Sequence, residues 1–128
     1  MDTLYVEDIL EHYKRPQNFG ELEPHDAEFF GYNPFCGDQV GVHVRISDKA
    51  ISDLRFHGSG CAISMAAASI ISSALIGMPL SEVEGLDESW LEEQIGIELS
   101  PARLKCGMMG LKVVQSALFG KQDVPAVA

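Results

Sequence analysis

The sequence predicts an α+β fold: a three-stranded antiparallel sheet with about four to five helices packed on one face. Three observations predict it. Two neighbouring stretches alternate apolar with polar residues, the period of half-buried strands. In the first, Val40, Val42, Val44 and Ile46 fall on one side and Gln39, Gly41, His43 and Arg45 on the other. From Ile63 to Leu75 the apolar residues recur instead at three- and four-residue steps, as on a helix that buries one face. Ser100-Pro101 then joins an N-cap serine to a proline at the first helical position, marking a further helix start.

Taken in order, residues 3–14 carry Val6, Ile9, Leu10 and Tyr13 at helical spacing, with acidic residues early and Lys14-Arg15 late, in the sense of the helix dipole. Pro16 stops that helix, and His12 on it is expected at the surface. Residues 17–26 are rich in Asn, Gly, Pro and Asp and read as a loop in which His25 is exposed. Residues 27–33 form the weakest strand, leading into a turn at Pro34–Asp38. Residues 47–50 turn the chain from the strand at Gln39–Ile46 into one at Ser52–His57. That hairpin returns the chain to Gly58-Ser59-Gly60-Cys61, near the level at which it left Cys36. Gly77-Met78-Pro79 ends the helix that follows. Residues 80–84 and 89–95 read as short helices, anchored by Trp90, Leu91 and Ile95. A last helix from Pro101 to about Phe119 buries Leu104, Met108, Leu111, Val114 and Leu118, with Cys106 in its second turn. Residues 1–120 make one domain, and 121–128 are expected as a disordered tail.

The composition narrows the function. A net charge of -10, from 19 acidic and 9 basic residues, argues against nucleic-acid binding, which needs clustered Lys and Arg. An acidic surface suits basic protein partners. No apolar run approaches the ~20 residues that span a bilayer, so no membrane association is expected, and the acidic start is unlike a secretory signal. A cytoplasmic protein is expected. Its three cysteines cannot all pair, which directs attention to metal binding or sulfur chemistry.

Cys61 falls where a glycine-rich turn becomes a helix. Unpaired N–H groups at a helix start favour a thiolate, the form that binds metals and attacks electrophiles. Each cysteine has a glycine beside it: Cys36-Gly37, Gly60-Cys61 and Cys106-Gly107. Asp38 adds a carboxylate two residues after Cys36. Cys36, Asp38, Cys61 and Cys106 would complete a four-coordinate site for Zn2+, or for a [2Fe-2S] cluster with one noncysteinyl ligand. Four anions outweigh a dication, and Lys105 is placed to offset part of the excess. Spacing alone leaves three unrelated core cysteines open, and leaves His57 or His43 open in place of Asp38. Met65, Met108 and Met109 read as core fillers.

Four stretches carry a resemblance covering nearly the whole chain. They are Glu11-His-Tyr-Lys-Arg-Pro-Gln-Asn-Phe-Gly20, Asn33-Pro-Phe-Cys-Gly-Asp38, Gly58-Ser-Gly-Cys-Ala-Ile-Ser64 and Pro101-Ala-Arg-Leu-Lys-Cys106. Together they resemble the U-type iron-sulfur cluster assembly scaffolds, the IscU, SufU and NifU N-terminal family. The resemblance implies a carrier, not an enzyme. It implies that the three matching cysteines and Asp38 receive sulfur from a cysteine desulfurase, assemble a labile [2Fe-2S] cluster and pass it to apo iron-sulfur acceptor proteins. Zinc can occupy the same site. Isc-type members have histidine before the third cysteine, where this chain has Lys105, so no ligand comes from that position. Leu99-Ser-Pro-Ala-Arg103 stands where they carry Leu-Pro-Pro-Val-Lys, which puts recognition by an Hsp70-type chaperone in doubt. Pro-Ala-Arg and Lys-Cys resemble the Suf-type branch, yet the interval from Cys61 to Cys106 is short for it.

Two functions follow as expectations, with a small α+β interaction domain holding structural zinc as a third. The first is a scaffold whose Asp38 bond is the easiest to open, because a hard carboxylate oxygen suits sulfide-rich iron poorly. The second is a zinc-dependent sulfurtransferase of the Suf type. In either, Cys106, with Lys105 stabilising its thiolate, is the expected sulfur acceptor, and Cys61 the next.

Overall fold

A computed structural model describes residues 3–34, 36–120 and 125–127. Its strands β1 (Ala27–Tyr32), β2 (Gln39–Ser47) and β3 (Ala50–Ser59) form one antiparallel sheet in that order. The helices are α1 (Thr3–Lys14), α2 (Ala62–Leu75), α3 (Leu80–Glu84), α4 (Glu88–Ile95), α5 (Pro101–Gly107) and α6 (Met109–Phe119). The expected α+β class and three-stranded antiparallel sheet are both present. The helix expected over 101–119 is two, α5 and α6, which divide at Met108.

The alternation along β2 produces the two faces of the sheet. Val40, Val42 and Val44 point into the core with Ile51, Leu54 and Phe56 of β3, and all six are at most 1 % exposed. Burying each is worth about 1.5–3 kcal/mol. On that face α6 lies against β1 and β2, and α2 lies against β3. Helix α2 is the central helix, touching α1, α4, α5 and α6 as well. Its Met65, Ala66, Ala67, Ala68 and Ile71 are buried, and Met108 and Met109 join them in the core, as expected. Gln39, Gly41, His43 and Arg45 take the opposite face by the pleat.

The β2–β3 hairpin turns through Asp48 and Lys49, both with positive φ, the geometry whose twist matches the strands it joins. Residues outside the three strands cover both sheet edges. Phe56 N–H donates to the Asn18 carbonyl (3.0 Å) and Gly20 N–H to the Phe56 carbonyl (2.7 Å), so residues 18–20 run along β3. Tyr32 N–H donates to the Pro125 carbonyl (3.0 Å) and Val127 N–H to the Phe30 carbonyl (2.7 Å), along β1. Such pairing occupies donors and acceptors that would otherwise template aggregation. Of the segment expected as a tail, residues 121–124 and 128 lie outside the described residues.

Two histidines differ from their expected exposure. His12 is half-buried against α2, with Nδ1 2.7 Å from Ser69 Oγ. His25 stacks on His43 with ring centroids 4.0 Å apart, because residues 21–26 cross the outer face of the sheet. Among the described residues no helix is long and apolar enough to cross a membrane.

Candidate metal centre

Three elements meet at the end of the sheet where β1 ends and α2 begins. The loop between β1 and β2 is closed on itself: Gly37 N–H donates to the Asn33 carbonyl (2.7 Å) and Asn33 N–H to the Asp38 carbonyl (2.8 Å). It presents Cys36 outward and folds Asp38 inward, leaving that carboxylate only 6 % exposed. Cys61 is the N-cap of α2, one position before the first turn expected for it, and its sulfur accepts from Ser64 N–H at 3.5 Å. Cys106 lies in the second turn after Ser100, as expected, and that turn is the last of α5, which gives way to α6 at Met108. Gly107 makes that junction compact, since a Cβ there would sit 3.1 Å from Leu99 Cδ1 and 3.3 Å from Leu91 Cδ2.

Asp38 ties these elements together. Its Oδ1 accepts Cys61 N–H at 3.1 Å, and its Oδ2 accepts the Ser64 hydroxyl. Ser64 is fully buried, with Oγ 3.1 Å from the Cys106 carbonyl and 3.5 Å from Cys61 Sγ. One serine therefore touches the β1–β2 loop, the start of α2 and the end of α5. The sequence reading assigned it no role. The available signal was its place three residues after Cys61, where an N-cap finds its partner N–H. Gly60 lets the loop approach: a Cβ there would fall 3.0 Å from Asp38 Cγ.

Two of the sulfurs stand where a metal would put them. Cys106 Sγ is 3.7 Å from Cys36 Sγ. Two sulfurs bound to one tetrahedral ion at about 2.3 Å would be about 3.8 Å apart. Ligand atoms of Cys36, Asp38 and Cys106 all lie within 4.8 Å of one another. Cys61 Sγ lies outside that set and adjoins it through its N–H on Asp38 Oδ1 and its sulfur 3.5 Å from Ser64 Oγ. Lys105 is exposed next to Cys106 in α5. His43 and His57, the other candidates for the carboxylate's place, pack together on the outer face of the sheet with rings 5.3 Å apart.

The two shifted groups of the site differ in sign. Burial acts to raise the Asp38 carboxyl, but hydrogen bonds from Ser64, Cys36 and Cys61 outweigh it and hold the group below its usual value. The Cys106 thiol is pushed up to about 12 by burial, by its hydrogen bond to Cys36 and by the charges of Cys61 and Cys36. Asp38 is thus a ready anion, whereas Cys106 gives up its proton only against added positive charge. A groove of about 420 Å³ opens beside Cys61 and Cys106, lined by Ile9, Leu10, Ile63, Ile97 and Arg103.

Three comparisons place the chain among known proteins. The family model described as NifU-like N terminal domain matches residues 4–123. Zinc-dependent sulfurtransferase SufU of Bacillus subtilis is 30 % identical over 135 aligned residues, covering 92 % of this chain and 91 % of that protein. Iron-sulfur cluster assembly scaffold protein IscU of Escherichia coli K12 is 27 % identical over 119, covering 89 % and 91 %. Among solved structures, FiSufU of Fervidobacterium islandicum AW-1 superposes with a TM-score of 0.73 at 25 % identity, covering 87 % of this chain and 93 % of that one.

The raised Cys106 thiol has a measurable consequence. In metal-free protein treated with iodoacetamide at pH 8, Cys36 and Cys61, which are exposed, are alkylated before Cys106. The initial Cys106 rate, read before Cys36 and Cys61 are consumed, keeps rising with pH beyond the range of an ordinary thiol, since the thiolate is the reacting form. A Cys106 rate already level at pH 9 contradicts the assignment.

Proposed function

The chain belongs to the NifU-like N-terminal domain family, and from this we propose that it is an iron-sulfur cluster assembly scaffold. It accepts sulfur from a cysteine desulfurase, carries a labile [2Fe-2S] cluster and delivers it to apo iron-sulfur acceptor proteins. The observation that carries this reading is the meeting of Cys36, Cys106 and the buried Asp38 carboxylate at one accessible point, with the two sulfurs at the spacing of a shared ion and Cys61 tied beside them through its N–H on Asp38. Cys36, Asp38, Cys61 and Cys106 are the ligands, and the cluster is cargo. Three soft sulfurs hold iron firmly, and one hard oxygen holds it weakly. The oxygen therefore opens first when an acceptor's thiolate arrives. Desulfurase, acceptors and a cytoplasmic setting belong to this proposal.

Sulfur arrives as a persulfide. The acceptor thiolate attacks the outer sulfur of the desulfurase persulfide; a new S–S bond forms as the old one breaks, and the desulfurase cysteine leaves as thiolate. Cys106 is the first acceptor and Cys61 the second. The Cys106 proton is held up to about 12, and in this reading Lys105, its neighbour in the chain, and Arg103, in the groove beside it, favour its release.

A second reading is favoured by the similarity to a protein named a zinc-dependent sulfurtransferase. In it the same four groups hold Zn2+ and the chain carries persulfide sulfur without building a cluster. Four ligands of this kind form a closed tetrahedral set for zinc.

Anaerobic incubation with iron, cysteine and a desulfurase separates the two. The scaffold reading predicts a visible chromophore that moves to an apo-ferredoxin, and Asp38→Ala slows that transfer about tenfold while retaining the chromophore. Persulfide without a chromophore supports the second reading, and unchanged transfer in Asp38→Ala removes Asp38 from the release step. Mass spectrometry of the loaded protein locates the sulfur on Cys106, with Cys61 next, and Lys105→Ala lowers the Cys106 fraction severalfold. Modification confined to Cys36 contradicts the acceptor assignment.

A further inference from the structure

Strand β1 leads into the loop that carries Cys36 and Asp38, and its side chains anchor that end poorly. Of its six residues only Gly31 is buried, and glycine has no side chain to pack. Tyr32, the last of them, is 36 % exposed. Backbone pairing holds what side chains do not. On the inner side Tyr32 pairs with Gln39, and Gln39 pairs with Ser59, two residues before Cys61. On the outer side lie residues 125–127. Gly31 bridges antiparallel to Ala126, Tyr32 N–H donates to the Pro125 carbonyl at 3.0 Å, and Val127 N–H donates to the Phe30 carbonyl at 2.7 Å. At the stem of the loop the chain thus stands four segments wide, through Pro125, Tyr32, Gln39 and Ser59.

The residue types of the outer segment suit a strand that lifts away. Pro125 has no N–H to return to Tyr32, so the ladder goes no further toward the loop. Pro125 and Ala126 are exposed and Val127 is half-buried, so little apolar area adds to the two hydrogen bonds. What they hold is closely coupled to the site. Asn33 follows Tyr32 directly; it is buried and donates its N–H to the Asp38 carbonyl at 2.8 Å, while its own carbonyl accepts Gly37 N–H at 2.7 Å. A displacement of Tyr32 therefore reaches both bonds that close the loop.

We propose that the outer edge of β1 is a strand-docking site whose occupant is this chain's own segment 125–127, and that docking there positions the Cys36–Asp38 loop for metal. The second half rests on the reading of Cys36, Asp38, Cys61 and Cys106 as ligands; the docking itself does not. With the segment seated, Tyr32 is paired on both sides and the loop keeps the register that turns Asp38 inward. With it lifted, β1 becomes a bare edge, the stem of the loop frays from Tyr32, and ligand exchange at Asp38 quickens. Strand addition draws its affinity from main-chain hydrogen bonds. A segment with so few of them, and little buried surface, opens at low cost relative to the core.

The test compares the full chain with a chain ending at Gly120, which keeps all three strands and all six helices, and with Val127→Pro, which removes one edge-facing N–H. Amide hydrogen exchange of the metal-free proteins reads the loop. In both variants Asn33 and Gly37 should exchange at least about threefold faster, the scale of one net backbone hydrogen bond, while Ile71 in α2 exchanges as in the parent. A synthetic peptide of residues 121–128, added in excess, should restore protection to the shortened chain. Zinc-loaded variants should lose their metal to a chelator faster by a similar factor, and Ala126→Ser, at an exposed position, should match the parent. Equal exchange at Asn33 and Gly37 in all three chains, or exchange that responds while zinc release does not, overturns the proposal. Zinc binding that survives Cys36→Ser combined with Asp38→Ala overturns the ligand reading instead, and the exchange comparison stands independently of it.

Discussion

The candidate centre depends on one buried carboxylate. Asp38 enters the protein at the end of a closed loop and receives Cys61 N–H and the Ser64 hydroxyl. Hydrogen bonds to a charged group are worth about 1.5–3 kcal/mol each, and more is lost when one partner is left buried alone. These bonds fix the distance between the Cys36 loop and the start of α2, and Ser64 extends the tie to the Cys106 carbonyl. The sulfurs are held together by this polar link and not by their own attraction, since thiols offer only weak hydrogen bonds.

That arrangement gives the site two opposed properties. The anion is stored in advance, with its hydrogen bonds outweighing its burial. The third thiol keeps its proton until positive charge arrives. A site with all four groups ionised would concentrate four negative charges within a few ångströms, at a cost growing steeply in partly dry surroundings. A protonated Cys106 relieves that repulsion, and a bound cation removes the need for it. The sheet supports the site from below: its inner face is filled by valines and Phe56, and segments outside the three strands cover both edges.

Much of the fold was legible because it rests on periodicity. The alternation of Val40, Val42 and Val44 specified β2, and the Ser100-Pro101 start specified α5. The division between α5 and α6 was not legible, because Leu104, Met108, Leu111 and Leu118 keep helical spacing straight through it. The strap from 18 to 26 was equally hidden. A loop sequence does not say that its Phe19 meets Phe56 edge-on or that its His25 stacks on His43. At the site, the glycine beside each cysteine and the return of the hairpin suggested one shared centre, but only the family resemblance favoured it over three unrelated core cysteines, because spacing does not bring residues 70 positions apart together. The tie made by Ser64 was not legible either, because a buried serine on a helix gives no sequence signal of the element it faces.

Bound-metal geometry tests the central claim most directly. X-ray absorption on protein loaded with less than one equivalent of Zn2+ should show three sulfurs at about 2.3 Å and one oxygen at about 2.0–2.2 Å. Two or fewer sulfurs, or imidazole scattering in place of the carboxylate oxygen, would contradict the claim that Cys36, Asp38, Cys61 and Cys106 enclose a single ion.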